Sequence, residues 1–268
     1  MNGEIIKELI KPIRDKMPRY GGEKLHLDLQ EDLVKSNIKM GRDGFCRFLK
    51  NNHLLVPKTK RCFITTDSNH FYHKSPNLIK DLVPTHAEQV FVSDITYIQL
   101  EDRHAYLALV TDWYTKRIMG YKIDDNMKVG LVKDALQMAV NNRIYGHENV
   151  IHHSDRGIQY CCPDYTEFAS KRGMVLSTTE KYDPYENAAA ERVNGILKYE
   201  FGLIKTIPTL EIAQKMLKES VDTYNNERRH CSLGMQTPNF AHIHQEHKHV
   251  SYRKKRRSRN VDKVQKIH

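Results

Sequence analysis

At Gln89 the spacing of apolar residues switches from helical to alternating, and that switch limits the folds open to the chain. Val90-Phe91-Val92 runs into Asp94, after which Ile95, Tyr97 and Ile98 are interleaved with polar residues, which predicts a strand. Tyr106 to Val110 and Ile118 to Ile123 read as two more, joined by a turn at Tyr114-Thr115-Lys116. Met127 to Asn142 has Val129, Val132, Leu136 and Ala139 at helical spacing. A short strand from Val150 ends at His153-Ser154-Asp155, before the turn Arg156-Gly157. A helix near Pro163 to Arg172, a strand at Met174-Val175-Leu176 and a helix from Ala188 follow. Three meandering strands, then strands alternating with helices, predict an α/β fold: a mixed five-stranded sheet with helices on its faces.

The flanks read differently. Ile5, Ile6, Leu9, Ile10 and Ile13 suggest a helix over 4–16 with a possible kink at Pro12, and Tyr20-Gly21-Gly22 breaks it. Leu25, Leu27, Leu29 and Leu33 suggest a second helix through Val34, interrupted at Ser36-Asn37. Phe45, Phe48, Leu49 and Leu54 mark another, interleaved with Arg42, Arg47 and Lys50. Short helices around a turn, the last one basic, outline a DNA-binding helix-turn-helix or a plain helical hairpin over 1–56. Residues 57–88 read as a basic, polar linker and 89–204 as the α/β core. A helix over Leu210 to Tyr224 forms a C-terminal extension, 205–242, and 243–268 form a basic tail holding Lys254, Lys255, Arg256 and Arg257.

Charge points to a polyanion. The 268 residues carry 43 Lys+Arg against 33 Asp+Glu, a formal charge of +10, for which nucleic acid is the commonest partner. No apolar run approaches a membrane span and the first residues do not resemble a signal peptide. Cys46, Cys62, Cys161, Cys162 and Cys231 are odd in number and lack framework spacing, which fits a reducing cytoplasm.

Three acids stand out by position. Asp94 interrupts an apolar strand, where a carboxylate is costly unless paired or bound to a metal. Asp155 lies just past a strand end, the usual place for a functional group on an open sheet, and Glu191 lies on the helix after the last strand. Glu191 and Lys198, seven residues apart, project from one helix face. Acids on neighbouring strands and a facing helix can converge, and hard cations such as Mg²⁺ take such oxygen ligands. Asp112 also ends a strand, but the turn at Thr115-Lys116 offers it a structural role. His152 and His153 read as strand residues beside the site, and zinc at Cys161-Cys162 would need a strained turn.

On these residues the chain resembles the integrase-core (second reading frame) subunit of IS3-group insertion-sequence transposases, in the retroviral-integrase superfamily. VSDITYI at 92–98, HSDRGIQY at 153–160 and PYENAAAERVNGILKYE at 184–200 are similar to the family's three catalytic blocks, with the family's gap of 35 residues between Asp155 and Glu191. DWYTKRIMG at 112–120 and TYNNERRHCSLGMQTP at 223–238 match two further blocks, and RYGGEKL with the helices after it looks like the family's helix-turn-helix. Where the family has Gly-Asn-Pro-Tyr-Asp-Asn, this chain has Tyr182-Asp183-Pro184-Tyr185-Glu186-Asn187.

The resemblance implies an RNase H-like fold in which Asp94, Asp155 and Glu191 are catalytic and hold two Mg²⁺, with Mn²⁺ as a substitute. It implies cleavage at the ends of a mobile element and joining of the freed 3′-OH to target DNA. Lys198, Arg156 and Asn187 would contact DNA beside the cut, with Arg42, Arg47, Lys50 and the tail as further contacts. The implied partners are double-stranded DNA, further copies of the chain on that DNA and an upstream-frame subunit, in a nucleoid-associated cytoplasmic setting. A regulatory relative that occupies element ends without cutting, and a nuclease acting on RNA–DNA hybrids, remain the other readings.

Overall fold

The computed structural model describes residues 2–57, 71–180 and 187–245. Residues 58–70 of the linker, the turn Tyr182 to Glu186 and the tail with Lys254, Lys255, Arg256 and Arg257 lie outside the described residues.

The sheet forms as the alternation predicts. Its strands are β1 (Val90–Gln99), β2 (His104–Asp112), β3 (Ile118–Asp124), β4 (Val150–Ser154) and β5 (Met174–Thr178), in the order β3-β2-β1-β4-β5. The β1–β2 and β2–β3 pairs are antiparallel, and the β1–β4 and β4–β5 pairs are parallel. β1 is the central strand, so its first residues, Val90 to Ser93, are buried on both faces.

Strand parity divides the core in two. Phe91, Ala108, Val110 and Met119 pack with α5 (Val129–Asn141) and with Tyr160 of α6 (Ile158–Cys161) and Tyr165 and Ala169 of α7 (Pro163–Ser170). Ile98, Leu107, Leu109 and Ile123 share a second cluster with Val193, Ile196 and Leu197 of α8 (Ala188–Glu200) and Leu217 and Tyr224 of α9 (Leu210–Asn226). Asp94 has the parity of Val90, Val92 and Ile98, which puts it on the α8 side of the sheet.

The N-terminal region forms four helices rather than the expected three: α1 (Asn2–Lys16), α2 (Gly22–Asp28), α3 (Gln30–Lys35) and α4 (Arg42–Asn51). α1 runs uninterrupted through Pro12. The single helix expected through Val34 is divided at Leu29, whose ψ of −1° departs from helix geometry. Ile6, Ile10, Leu25, Leu33, Phe45 and Leu49 belong to the same apolar cluster as α8 and α9.

Polar ties reinforce that junction. Arg228 grips Glu200 in a two-pronged pair at 2.7 and 2.8 Å, with Lys24 3.6 Å from the same carboxylate. Arg229 pairs with Asp28, and its backbone N–H donates to the Tyr20 hydroxyl. The 223–238 block is therefore largely structural here. Asn225 exchanges two hydrogen bonds with the backbone of Ile118, at 2.9 and 3.0 Å, and the Tyr224 hydroxyl donates to the Lys116 carbonyl.

A further helix, α10 (Pro238–His244), was not legible in the His-rich text. Its His242, fully buried, lies 3.3 Å from Glu88 and 3.6 Å from Asp112, two equally buried acids at the opposite end of β1 from Gln99. Asp112 accepts backbone hydrogen bonds from Glu88, Tyr114 and Thr115, the structural role its turn suggested. Burial pushes its carboxyl up, against those bonds and His242. Burial also raises Glu88, but hydrogen bonds from His242, the Ile144 N–H and Arg143 prevail and hold it below the ordinary carboxylate range.

Helix α5 lies on β3 at one crowded point. A Cβ added to Gly120 would stand 2.1 Å from the Ala135 carbonyl oxygen and 2.6 Å from the Ala139 nitrogen, both backbone atoms. We expect Gly120→Ala to force the layers apart and cost about 1–3 kcal/mol, the scale of overpacking. Thermal unfolding should show a midpoint several degrees lower; an unchanged midpoint would contradict the close approach.

Candidate active site

The sheet sets two of the three acids side by side. β1 and β4 run parallel with Val92 beside His153, so Asp155, one residue beyond the end of β4, comes level with Asp94. A parallel neighbour brings the two acids together without a hairpin, so residues 61 apart in sequence share one edge. The turn after Asp155 is fixed by its own side chain, whose Oδ1 accepts from the Gly157 N–H at 3.0 Å.

Helix α8 supplies the third acid. Ala190 and Val193 are buried against the protein, which places Glu191, in the first turn, at the exposed edge of that face. Asn187 occupies the N-cap position, but its side chain makes no cap bond there. It is buried and donates to the Ser93 carbonyl at 3.0 Å, pinning the start of α8 to the strand residue beside Asp94. The amide of Asn187, expected to contact DNA, thus also makes an internal bond. About two turns on, Asn194 is also buried and donates to Asp94 Oδ2 at 2.8 Å.

The electrostatics tie the three acids into one group. Asp94 is pushed up to about 7, first by burial, then by the Asp155 charge, with Glu191 adding to the rise and the Asn194 hydrogen bond opposing it. Glu191 is raised by burial and by Asp155. Three carboxylates that hinder one another's ionisation form the all-oxygen donor set that hard divalent cations take. Among the described residues, no three His, Cys, Asp or Glu side chains are already drawn in tightly enough to enclose an ion. The donors therefore fit such a cation in chemistry, while closure around it would take side-chain movement.

The other candidates fall into place around this centre. Lys198 is half-buried on α8, seven residues after Glu191. Arg156 donates to the Thr179 carbonyl and so is held at the end of β5. Arg42, Arg47 and Lys50 are exposed on α4, remote in sequence from the acids, and Arg42 pairs with Asp43 at 3.0 Å. His152 and His153 are buried strand residues: His152 Nε2 is 2.7 Å from Ser93 Oγ and His153 Nδ1 is 2.9 Å from Ser177 Oγ. Burial pushes His152 down to about 3, so it is neutral near pH 7. Sequence reasoning missed Asn194. Its signal was its place three residues after Glu191 on the same helix face, where an amide looked like ordinary helix filler.

The shift at Asp94 has a testable sign. Its folded-state value lies above the usual carboxylate value near 3.9, so the folded protein holds a proton that the unfolded chain releases as pH rises from about 4 to about 7. Cation-free protein should therefore lose stability across that window. Asp94→Asn should unfold at a higher temperature than wild type at pH 8, with the difference shrinking towards pH 4. Parallel melting curves at all pH values would refute the coupling.

Two models described as integrase core domain match the chain, over residues 84–184 and 172–238. The Insertion element IS600 uncharacterized 31 kDa protein of Shigella sonnei is 34% identical over 212 residues, covering 78% of each chain. Transposase InsF for insertion sequence IS3A of Escherichia coli (strain K12) is 29% identical over 82% of this chain and 75% of its own. Among solved structures, the simian T-cell lymphotropic virus intasome in complex with PP2A regulatory subunit B56 gamma aligns over 86% of this chain and 78% of its own, with a TM-score of 0.50 and 16% identity, and so shares the fold. The sheet order, the carboxylate edge and these matches together show that the chain belongs to the IS3-group insertion-sequence transposases of the retroviral-integrase superfamily.

Proposed function

We propose that the chain is a DNA transposase of the polynucleotidyl-transferase type, cutting DNA at the ends of its element and joining the freed end to a target. The observation that carries this reading is the register that sets Asp94 of β1 level with Asp155 past β4, with α8 tied to β1 by Asn187 and Asn194 on either side of Glu191. They would hold two Mg²⁺, with Mn²⁺ as substitute. When bound, such a pair stabilises the attacking and leaving oxygens of an in-line phosphoryl displacement.

The protein's own residues do the rest. Asn194 keeps Asp94 oriented through Oδ2. Asn187 and the buried face of α8 set Glu191 against the strands. In the first displacement water attacks a phosphodiester at the element end, leaving a 3′-OH and a 5′-phosphate. In the second, that 3′-OH attacks a target phosphodiester, and the broken strand departs as a new 3′-OH. No covalent bond to protein is needed in either step.

DNA would be held at several points. Lys198, on the helix that carries Glu191, would meet the backbone near the cut, as would Arg156, next to Asp155 in sequence. The exposed Arg42, Arg47 and Lys50 on α4 would contact duplex DNA if the N-terminal helices act as a helix-turn-helix, and the basic tail would add phosphate contacts. We further propose that the chain works as an oligomer on DNA, with an upstream-frame subunit as possible partner. No helix among the described residues is long and apolar enough to cross a membrane, and a cytoplasmic, nucleoid-associated setting suits this activity.

The direct test is nicking of duplex DNA carrying the element ends, in Mg²⁺ or Mn²⁺. Wild type should cut, and Glu191→Gln and Asp155→Asn should each lower the rate by about a hundredfold or more, the scale on which losing one electrostatic contributor to the transition state is felt. Both variants should still bind the DNA. End binding by wild type without nicking in either metal would replace the transposase reading with a regulatory one, and preference for RNA–DNA hybrid would favour a nuclease.

A further inference from the structure

Gly195 stands in the middle of α8, the helix that carries Glu191, and nothing in the packing calls for a glycine there. Glycine is among the least favourable residues in a helix interior, because it loses the most conformational freedom on folding and packs no side chain. At Gly120 that cost has a visible cause, since a Cβ would strike the backbone of α5. At Gly195 a Cβ would meet no atom within 4 Å among the described residues, and the backbone does not take the positive φ that favours glycine. Alanine would therefore fit here and strengthen the helix.

The helix phase shows what the bare backbone faces. At about 100° per residue, Glu191 and Lys198 flank Gly195 on one side, and Arg192 and Tyr199 flank it on the other. Ala190, Val193, Asn194, Ile196 and Leu197 fill the opposite arc, and all are buried. Glu191 and Arg192 are exposed, while Gly195, Lys198 and Tyr199 are half-buried. Gly195 thus lies at the centre of the face that α8 turns away from the core, at the floor of a furrow between longer side chains. The cations Lys198 and Arg192 on opposite walls suit a polyanion, as does the formal charge of +10. Glu191 stands on one of those walls, one turn from the glycine.

We infer that this furrow seats one strand of the element-end DNA, with the sugar-phosphate backbone lying against the bare main chain at Gly195. Glycine serves where a ligand must come close to the backbone, and a methyl group here would hold the strand off by its own width. The inference rests on the transposase reading above and deepens it. Lys198 and Arg192 supply charge, and the missing side chain at 195 sets how near the strand comes to Glu191.

Full-length wild type, Gly195→Ala, Gly195→Leu and Glu191→Gln would be melted without metal, titrated with Mn²⁺ by electron paramagnetic resonance, and assayed for nicking of element-end duplex DNA in Mg²⁺. Gly195→Ala should melt above wild type, since the helix gains a better former and the methyl meets nothing. Its Mn²⁺ affinity should match wild type, yet its kcat/KM for nicking should fall roughly tenfold, the scale of overpacking a close contact. Gly195→Leu should nick more slowly still. Nicking by either variant within about twofold of wild type would overturn the inference. So would a Gly195→Ala protein that melts lower, because the glycine would then be structural. Loss of Mn²⁺ affinity in Gly195→Ala would also overturn it, by placing the effect on the acids rather than on DNA. If wild type nicks, Glu191→Gln does not and Gly195→Ala matches wild type, the inference alone falls. If wild type does not nick, the transposase reading falls and the inference with it.

Discussion

Everything at the carboxylate edge follows from one electrostatic constraint: carboxylates that oppose one another's ionisation must be kept close, and Asp94 among them is held by an amide. The usual remedy for a buried acid is a salt bridge, and this chain applies it elsewhere, at Glu200–Arg228 and Glu88–Arg143. At Asp94 it uses an amide instead. Asn194 donates to the carboxylate without supplying a full charge, so the acid is oriented but keeps its demand for positive charge. Burial, then the Asp155 and Glu191 charges, push Asp94 up to about 7 against that bond. A lysine or arginine in place of Asn194 would pair with the acid and lower it.

The division of labour between acids was only partly readable from sequence. The strand-and-helix order, the five strands and the clustering of Asp94, Asp155 and Glu191 on one edge follow from apolar periodicity and from parallel pairing of β1 with β4. Asp112 was correctly separated from this group, because a turn with free N–H groups stands directly after it. Side-chain direction was not readable in the same way. Asn187 and Arg156 lie in the motifs that resemble the family's and read as DNA contacts; in the fold the amide of one bonds the Ser93 carbonyl and the guanidinium of the other the Thr179 carbonyl. An amide or guanidinium serves backbone and phosphate equally well, so composition alone cannot distinguish the two uses.

Burial of polar groups was the least legible property. His242 occurs in a stretch rich in histidine and polar residues, and nothing in its spacing marks it as a residue that is wholly enclosed by Glu88, Asp112 and Thr115. The enclosing acids are 130 and 154 residues away in sequence. Such a contact exists only once the sheet has formed and presents its end to the returning chain. The N-terminal helices illustrate the same point. Their apolar faces predict packing, but only the fold reveals that they complete the cluster beneath α8 and α9.

Helix α8 joins these two halves of the molecule. Glu191 stands in its first turn beside the strands, and Glu200 ends it in the grip of Arg228 and Lys24 beneath the N-terminal helices. Nine residues of α-helix advance about 13 Å and turn the direction of projection by about two and a half revolutions, so the two acids point to opposite sides of one rod. The helix thus has a phase as well as a length. Inserting or deleting a single residue between them would swing one acid by about 100° relative to the other.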